Sequence, residues 1–461
     1  MRRSKLLQFL TLTLQITAIP LTVIAVIQGT NLFSRATGTK AELTIDLASS
    51  FGEKPPVWRN LAQGGEENRS NTLSSTVEHI KSLQPSYIRV DHIYDFYDVA
   101  SVSPDGSLTF NWQRLDTLIA DIQATGAKPF LSLSYMPDSL TTSNTVGLPS
   151  NWSQWQELVR KTIEHVSGEL AIEDVYYEVW NEPDLFGEFK TYGDKNYLEL
   201  YRHSALAAAE ANVTTKFKIG GPATTALYKN WFDNLLTFVT QNQLRFDFYS
   251  WHRYSQDLGD YEIDIRNAQN WLVNYPSLSQ IELIISEIGP DPEVNTIYDN
   301  QESAIHTIAT SVMLDKLMDK TFIFEIKDGP HNSEKFWGRW GILTNEIHGE
   351  PFKKPRYYAI EFLNNLRGSV MTVIGEGSWV KASARKDENA SRIIVVNYDK
   401  ENSHSEAVPI TLQNVPSSFT WRRRDFLGQS RETPIATTSA IWQTIEFFEP
   451  NSAALFEVIP Q

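Results

Sequence analysis

The chain has 461 residues and a formal net charge of −15, with 41% hydrophobic and 21% charged residues. That composition excludes a disordered or fibrous protein, and at about 150 residues per domain it leaves room for two or three domains. It holds no cysteine, which excludes disulfides, thiolate metal sites and a cysteine nucleophile, and its acidity argues against nucleic acid as a partner.

Arg2, Arg3 and Lys5 precede a stretch without charged side chains, from Leu6 to Ser34. Its apolar part, Leu6 to Ile27, could span about 30 Å of hydrocarbon as a helix, although threonines, glutamines and Pro20 weaken it. The positive flank would keep the N-terminus cytoplasmic. Residues 1–40 are therefore expected to be a signal anchor and linker. The membrane becomes a partner, and the body is membrane-anchored and extracytoplasmic. A cleaved signal peptide and a secreted body are the alternative.

From about residue 57 to 366, short β-branched and aromatic runs alternate with amphipathic helical stretches. A weak run surrounds Val57–Leu61. Stronger ones are Tyr87–Val90, Pro129–Leu133, Val175–Trp180, Phe217–Gly220, Phe246–Ser250, Ile281–Ile285 and Thr321–Phe324. Between them, Trp112, Leu115, Leu118, Ile119 and Ile122 repeat at helical spacing, as do Trp152, Trp155, Leu158, Val159, Ile163 and Val166. Eight such β/α units predict an α/β fold, a (β/α)8 TIM barrel over 41–366. A doubly wound sheet would carry a glycine-rich first turn, and no G-x-G-x-x-G occurs. After Gly368, short alternating runs separated by turn residues predict a C-terminal antiparallel, β-sandwich-like domain over 367–461.

In a barrel the chemistry sits at the C-terminal ends of the strands. The fourth run leads into Trp180-Asn181-Glu182-Pro183-Asp184, and the seventh into Ser286-Glu287-Ile288-Gly289. Each leaves a carboxylate just after buried apolar residues, which is costly unless the acid is paired or used. Two acids on one barrel face fit cleavage of a glycosidic bond. One donates a proton to the leaving oxygen, and the other attacks the anomeric carbon or directs a water. Asn181 can bond a sugar hydroxyl, and Pro183 stiffens the turn. The competing reading for either glutamate is a salt-bridged loop residue. There is no H-E-x-x-H, G-x-S-x-G or Walker loop, and the nine histidines form no pair with metal-ligand spacing. No metal and no organic cofactor are expected.

These segments resemble glycoside hydrolase family 39. The resemblance rests on Tyr87-Ile88-Arg89, on Lys128-Pro129-Phe130 through Tyr135-Met136-Pro137, and on Trp180–Asp184. It continues through Gly220-Gly221-Pro222-Ala223, Asp247–Tyr254, Phe336-Trp337-Gly338 and Lys354–Ala359. It implies a retaining glycosidase with Glu182 as acid/base and Glu287 as nucleophile; with the anchor or signal reading above, it is expected to act on an oligo- or polysaccharide outside the cytoplasm. It also implies a sugar pocket that includes the eighth-strand stretch ending at Asp328. That stretch, Phe324-Glu325-Ile326-Lys327-Asp328, and Val90-Asp91-His92 after the second run both depart from the family's xylosidase pattern. The departures argue against simple β-xylosidase action. Alternatives are a non-catalytic carbohydrate-binding barrel and a transglycosylase using the same residues.

Further candidates carry two readings each. His252 either bonds a substrate hydroxyl or Glu287, or is a satisfied core histidine. Tyr254 either orients the nucleophile or sits at the rim. Arg89 is a substrate contact or, better, a partner of a carboxylate. Arg253, Lys327 and Arg339 could bind a uronate carboxylate, or pair with local acids. Aromatic residues form 12% of the chain. Among the tryptophans, Trp58, Trp180, Trp251, Trp337 and Trp340 fall near strand ends as candidate stacking platforms, with Trp180 alternatively set into the barrel wall.

Overall fold

Eight parallel strands close into a barrel in the computed structural model, which describes residues 38–461 apart from 69, 70 and 142. The strands are β1 (Asn60–Gln63), β2 (Tyr87–Val90), β3 (Lys128–Leu133), β4 (Val175–Val179), β5 (Phe217–Thr224), β6 (Phe248–Tyr254), β7 (Glu282–Gly289) and β8 (Lys320–Phe324). Each pairs with the next, and β8 closes on β1 through Ile323–Leu61 and Phe324–Ala62. The helices outside them are α1 (Val77–Ser82), α2 (Gln113–Ala124), α3 (Trp152–Ile163), α4 (Tyr197–Glu210), α5 (Lys229–Gln241), α6 (Leu258–Leu272), α7 (Gln301–Leu317) and α8 (Pro355–Leu363).

Local rules explain these elements. In α2 the buried residues are Leu115, Leu118, Ile119 and Ile122, one stripe at helical spacing. In α3 Asn151 caps the N-terminus by accepting from the Ser153 N–H, and Trp155, Leu158, Val159 and Ile163 are buried. Each such side chain contributes about 1.5–3 kcal/mol on burial. Inside the barrel, Phe130 stacks on Tyr176 at 5.2 Å between ring centres and meets Phe322 at 4.7 Å and Phe248 at 5.5 Å. These rings fill the bore, and Phe324 of the same cluster lines the cavity above it.

The last part of the chain folds as two facing sheets. One has six strands in the order Ser369–Val370, Val380–Lys386, Ser391–Asn397, Ser452–Pro460, Ser418–Asp425, Ser430–Ala436. The other has four: Val373–Ile374, Leu43–Asp46, Glu406–Gln413, Ile441–Phe448. Leu43–Asp46 differs from the expected boundary at 41. It runs parallel to Glu406–Gln413 and buries Leu43 and Ile45 in the sandwich core rather than in the barrel. Its Leu-Thr-Ile-Asp alternation suits a half-buried strand, but at four residues it is too short to reveal its partner.

The expected anchor helix falls on residues outside the described range. Among the described residues no helix is long and apolar enough to cross a membrane. This corrects the expectation of a membrane-anchored chain with a membrane as partner and an extracytoplasmic placement set by that anchor. Helix α7 comes nearest in burial. Ser303 to Asp315 are all buried, yet it has only 17 residues and includes His306, Asp315 and Lys316. Its burial has another cause, because α7 packs between the barrel and the sandwich strands Val380–Lys386 and Ser391–Asn397.

At that junction Arg385 pairs with Asp315 at 2.7 Å, with side chains 3% and 2% exposed, and also donates to the Lys54 carbonyl at 2.6 Å. Removing one member strands a buried charge. Arg385→Leu is expected to lower stability by about 3–5 kcal/mol, and adding Asp315→Leu to restore most of it. Chemical denaturation of the single and double variants measures this; a single variant as stable as wild type would refute it.

Candidate active site

The β4 run carries Glu178 into the barrel and turns Val179 outward. The chain then bends sharply. Trp180 and Glu182 both occupy left-handed backbone conformations, at φ 72° and 44°, which non-glycine residues rarely adopt. Such positions cost about 1–3 kcal/mol each and persist only where the surroundings fix them. Here the Glu182 N–H donates to the Ala223 carbonyl at 3.0 Å, and Trp180 is wedged against Tyr135, Trp155 and Phe189. Trp180 is thus set into the barrel wall. Its indole N–H donates to the Phe186 carbonyl at 3.0 Å, and the bend aims Glu182 over the bore.

On β7 simple alternation would fail. Ile284 faces the bore, so Glu287 should face out. Instead the register against β6 slips: Ile285 sits beside Trp251 and Glu287 beside His252, leaving Ser286 as an extra residue. This β-bulge turns Glu287 inward and Ile288 outward, the re-aiming for which bulges recur beside functional sites.

The two carboxylates meet around one arginine and one histidine. Arg89, fully buried on β2, donates through Nε to Glu178 (2.7 Å), through one terminal nitrogen to Glu287 (2.9 Å) and through the other to Asn181 (2.7 Å). The Tyr254 hydroxyl donates to Glu287 Oε2 at 2.6 Å. His252 Nδ1 lies 2.8 Å from Glu182 Oε1 and 3.5 Å from Glu287 Oε2. Atoms of Glu182, His252 and Glu287 all come within 4.8 Å of one another. The same trio has the donor types of a cation site, but a cation there would face repulsion from the Arg89 guanidinium.

Burial sets the protonation of this group. It pushes Glu182 up to about 8, helped by the charges of Asp184 and Asp91 and opposed by Arg89. It also raises Glu287, where His252, Arg89 and the Tyr254 hydroxyl pull back. Burial lowers His252, opposed by the charges of Glu287 and Glu178. A proton shared between the acids therefore rests on Glu182, because Arg89 and Tyr254 bond Glu287 directly. An acid with a raised folded-state pKa binds its proton more tightly in the native chain, so its ionisation erodes stability as pH rises from the unfolded value toward about 8. Glu182→Gln is expected to gain Tm over wild type, by an amount that grows between about pH 5 and pH 8 and then levels. Thermal melts across that range check this; a difference independent of pH would refute it.

Other predicted residues divide. Asn181 lines the cavity, with its amide N–H donating to the Tyr135 hydroxyl at 2.9 Å. Arg89 is a carboxylate partner and does not line the cavity, which corrects it as a substrate contact. Trp251 is corrected too: it is fully buried and points out of the barrel toward Tyr249, because its neighbour His252 points in. Asp328 is buried against Lys354 (3.0 Å) and the Gly341 N–H (2.7 Å), away from the cavity. Trp337 stacks on His331 at 4.9 Å, outside the cavity wall. Trp58 lies in the core with its N–H on Asn364. Of the five candidate platforms only Trp340 lines the cavity, and the Arg339 guanidinium lies 3.4 Å from its ring centre.

The cavity holds about 610 Å³ and takes residues from the C-terminal end of every strand or the loop after it, among them Glu66, Asp91, Tyr135, Glu182, Thr225, Tyr254, Glu287 and Trp340. The cations proposed for a uronate are engaged. Arg253 forms a two-point pair with Asp264 at 2.6 Å, Arg339 pairs with Glu66, and Lys327 lies 2.9 Å from Glu346. Glu66, Asp91 and Tyr135 were not singled out as site residues. For Asp91 the signal was present, since it stands where the second run departs from the xylosidase pattern.

Comparisons agree with this geometry. The model of "Glycosyl hydrolases family 39" matches residues 56–419. A β-xylosidase of Caldicellulosiruptor saccharolyticus is 26% identical over 349 residues, 70% of this chain and 69% of that protein. Two solved structures share the fold. The family 39 enzyme of Xanthomonas axonopodis pv. citri has a TM-score of 0.73 at 19% identity, covering 93% of this chain and 99% of the other. A monomeric β-xylosidase of Caulobacter crescentus CB15 has a TM-score of 0.74 at 19% identity, covering 91% and 99%. With the family model spanning the whole barrel and both strand-end acids on its open face, the chain belongs to glycosyl hydrolase family 39 and is a hydrolase of glycosidic bonds.

Proposed function

We propose that the enzyme works with retention, Glu182 serving as acid/base and Glu287 as nucleophile. The supporting observation is their spacing. Carboxylate oxygens of the two lie within 4.8 Å, close to the about 5–5.5 Å of retaining enzymes and well short of the about 6.5–9.5 Å that admits a water in inverting ones. Glu287 attacks the anomeric carbon while protonated Glu182 gives its proton to the departing oxygen. A water then loses a proton to Glu182 and displaces the sugar from the Glu287 ester. Arg89 and Tyr254 stabilise the Glu287 carboxylate before attack and after its release, and keep it aligned. A purely sugar-binding barrel has no use for a proton-loaded Glu182 beside a charged Glu287.

The β-xylosidase relatives make aryl β-xylosides the first substrates to try, although Asp91 and the β8 segment give this cavity a different wall. A panel of aryl pentosides, hexosides and uronides tests the reading, with the first-formed product followed by NMR. Turnover with a retained anomer is expected; an inverted first product, or no turnover on any member, would overturn it. The rate should also fall above about pH 8, where Glu182 loses the proton it must donate.

A further inference from the structure

We propose that Asp91 accepts hydrogen bonds from donor groups of the bound sugar, and that the cavity thereby selects neutral or amine-bearing sugars over uronates. This rests on the reading of the cavity as the sugar site. Asp91 follows β2, is 8% exposed and lines the cavity, yet its Oδ1 is buried without a hydrogen-bond partner. A buried carboxylate oxygen left bare is costly, and unlike Glu178 Oε1 this one belongs to a residue that borders the cavity, where a ligand can complete it.

No neighbouring cation completes it. Arg89 spends its three nitrogens on Glu178, Glu287 and Asn181. The adjacent His92 ring bonds Asp95 at 2.8 Å through Nδ1. Arg253 and Arg339 are held by Asp264 and Glu66. Burial raises Asp91 above the usual carboxylate range, so a donor that favours the charged form has something to gain. Sugar hydroxyls and an ammonium group supply such donors. A uronate carboxylate does not, and it would enter a cavity already lined by Glu66, Asp91, Glu182, Glu287 and Glu293.

Calorimetric titration tests this by binding alone, so its failure and a failure of the turnover panel are separate results. The probes are the methyl β-glycosides of xylose, glucose, glucosamine and glucuronic acid, titrated into wild type and Asp91→Asn. At least one of the first three is expected to bind wild type about tenfold or more tighter than the glucuronide. Asp91→Asn is expected to lose about tenfold on that ligand and to gain on the glucuronide. Its Tm should be unchanged or higher, because burial, which opposes the carboxylate's charge, outweighs the attraction of His92 and Arg89. The proposal is overturned by a glucuronide that binds as tightly as the neutral sugars, by affinities that Asp91→Asn leaves unchanged, by an affinity loss accompanied by a lowered Tm, or by no binding of any probe.

Discussion

Glu287→Gln is expected to cut kcat/KM on aryl glycosides by about 10⁴-fold, or about 5.5 kcal/mol of transition-state stabilisation, with little change in KM. The argument starts from the bulge on β7, which turns this one side chain into the bore beside His252. Arg89 at 2.9 Å and Tyr254 at 2.6 Å then aim one oxygen each of the carboxylate. Glutamine keeps the shape and can still accept from one of these donors, so binding should survive. It cannot form the glycosyl ester, so the first chemical step is lost. Steady-state kinetics gives the ratio, and a 2-fluoro glycoside trapped on wild type should label the peptide bearing Glu287. A variant within about tenfold of wild type, or a label on another residue, would remove Glu287 as nucleophile.

The parts of the fold that follow from period alone were legible. The alternation of strand runs with helices such as α2 and α3 needs only local spacing, and it leads to the barrel. Asn181-Glu182-Pro183 marked the site because an acid after buried residues is an anomaly in any sequence. What could not be read depends on partners far along the chain. Asp328 was placed near substrate, yet Lys354, 26 positions later, buries it in an ion pair. The Ser286 bulge is a register slip between two strands and leaves no mark in one of them. Leu43–Asp46 joins strands more than 300 residues away. Trp251 is a different case. Once Phe248 faces inward, alternation alone puts Trp251 outside and His252 inside, so the residue beside the histidine was never a platform.

Arg89→Met is expected to lower stability by about 3–5 kcal/mol and to move the acidic limb of kcat/KM to higher pH. The first effect follows from what the guanidinium leaves behind. Glu178 and Glu287 would share a dry barrel without their counter-charge, and Glu178 Oε1 already lacks a partner there, so no spare donor can compensate. The second follows from the nucleophile's protonation. Burial already raises Glu287, and Arg89 is one of the groups pulling it back, so removing that charge raises it further. The nucleophile must be ionised to attack, so a higher pKa empties the active form first at low pH. The variant should fall further behind wild type at about pH 6 than at about pH 8. Arg89→Lys restores the charge but offers one nitrogen where three are used at separate partners, so it should recover the pH profile better than the stability. Urea denaturation and pH–rate profiles of both variants measure the two effects independently. A stability loss with an unmoved acidic limb would mean that Arg89 braces the barrel without tuning Glu287, and the nucleophile's charge would then have to be set by His252 and Tyr254 alone.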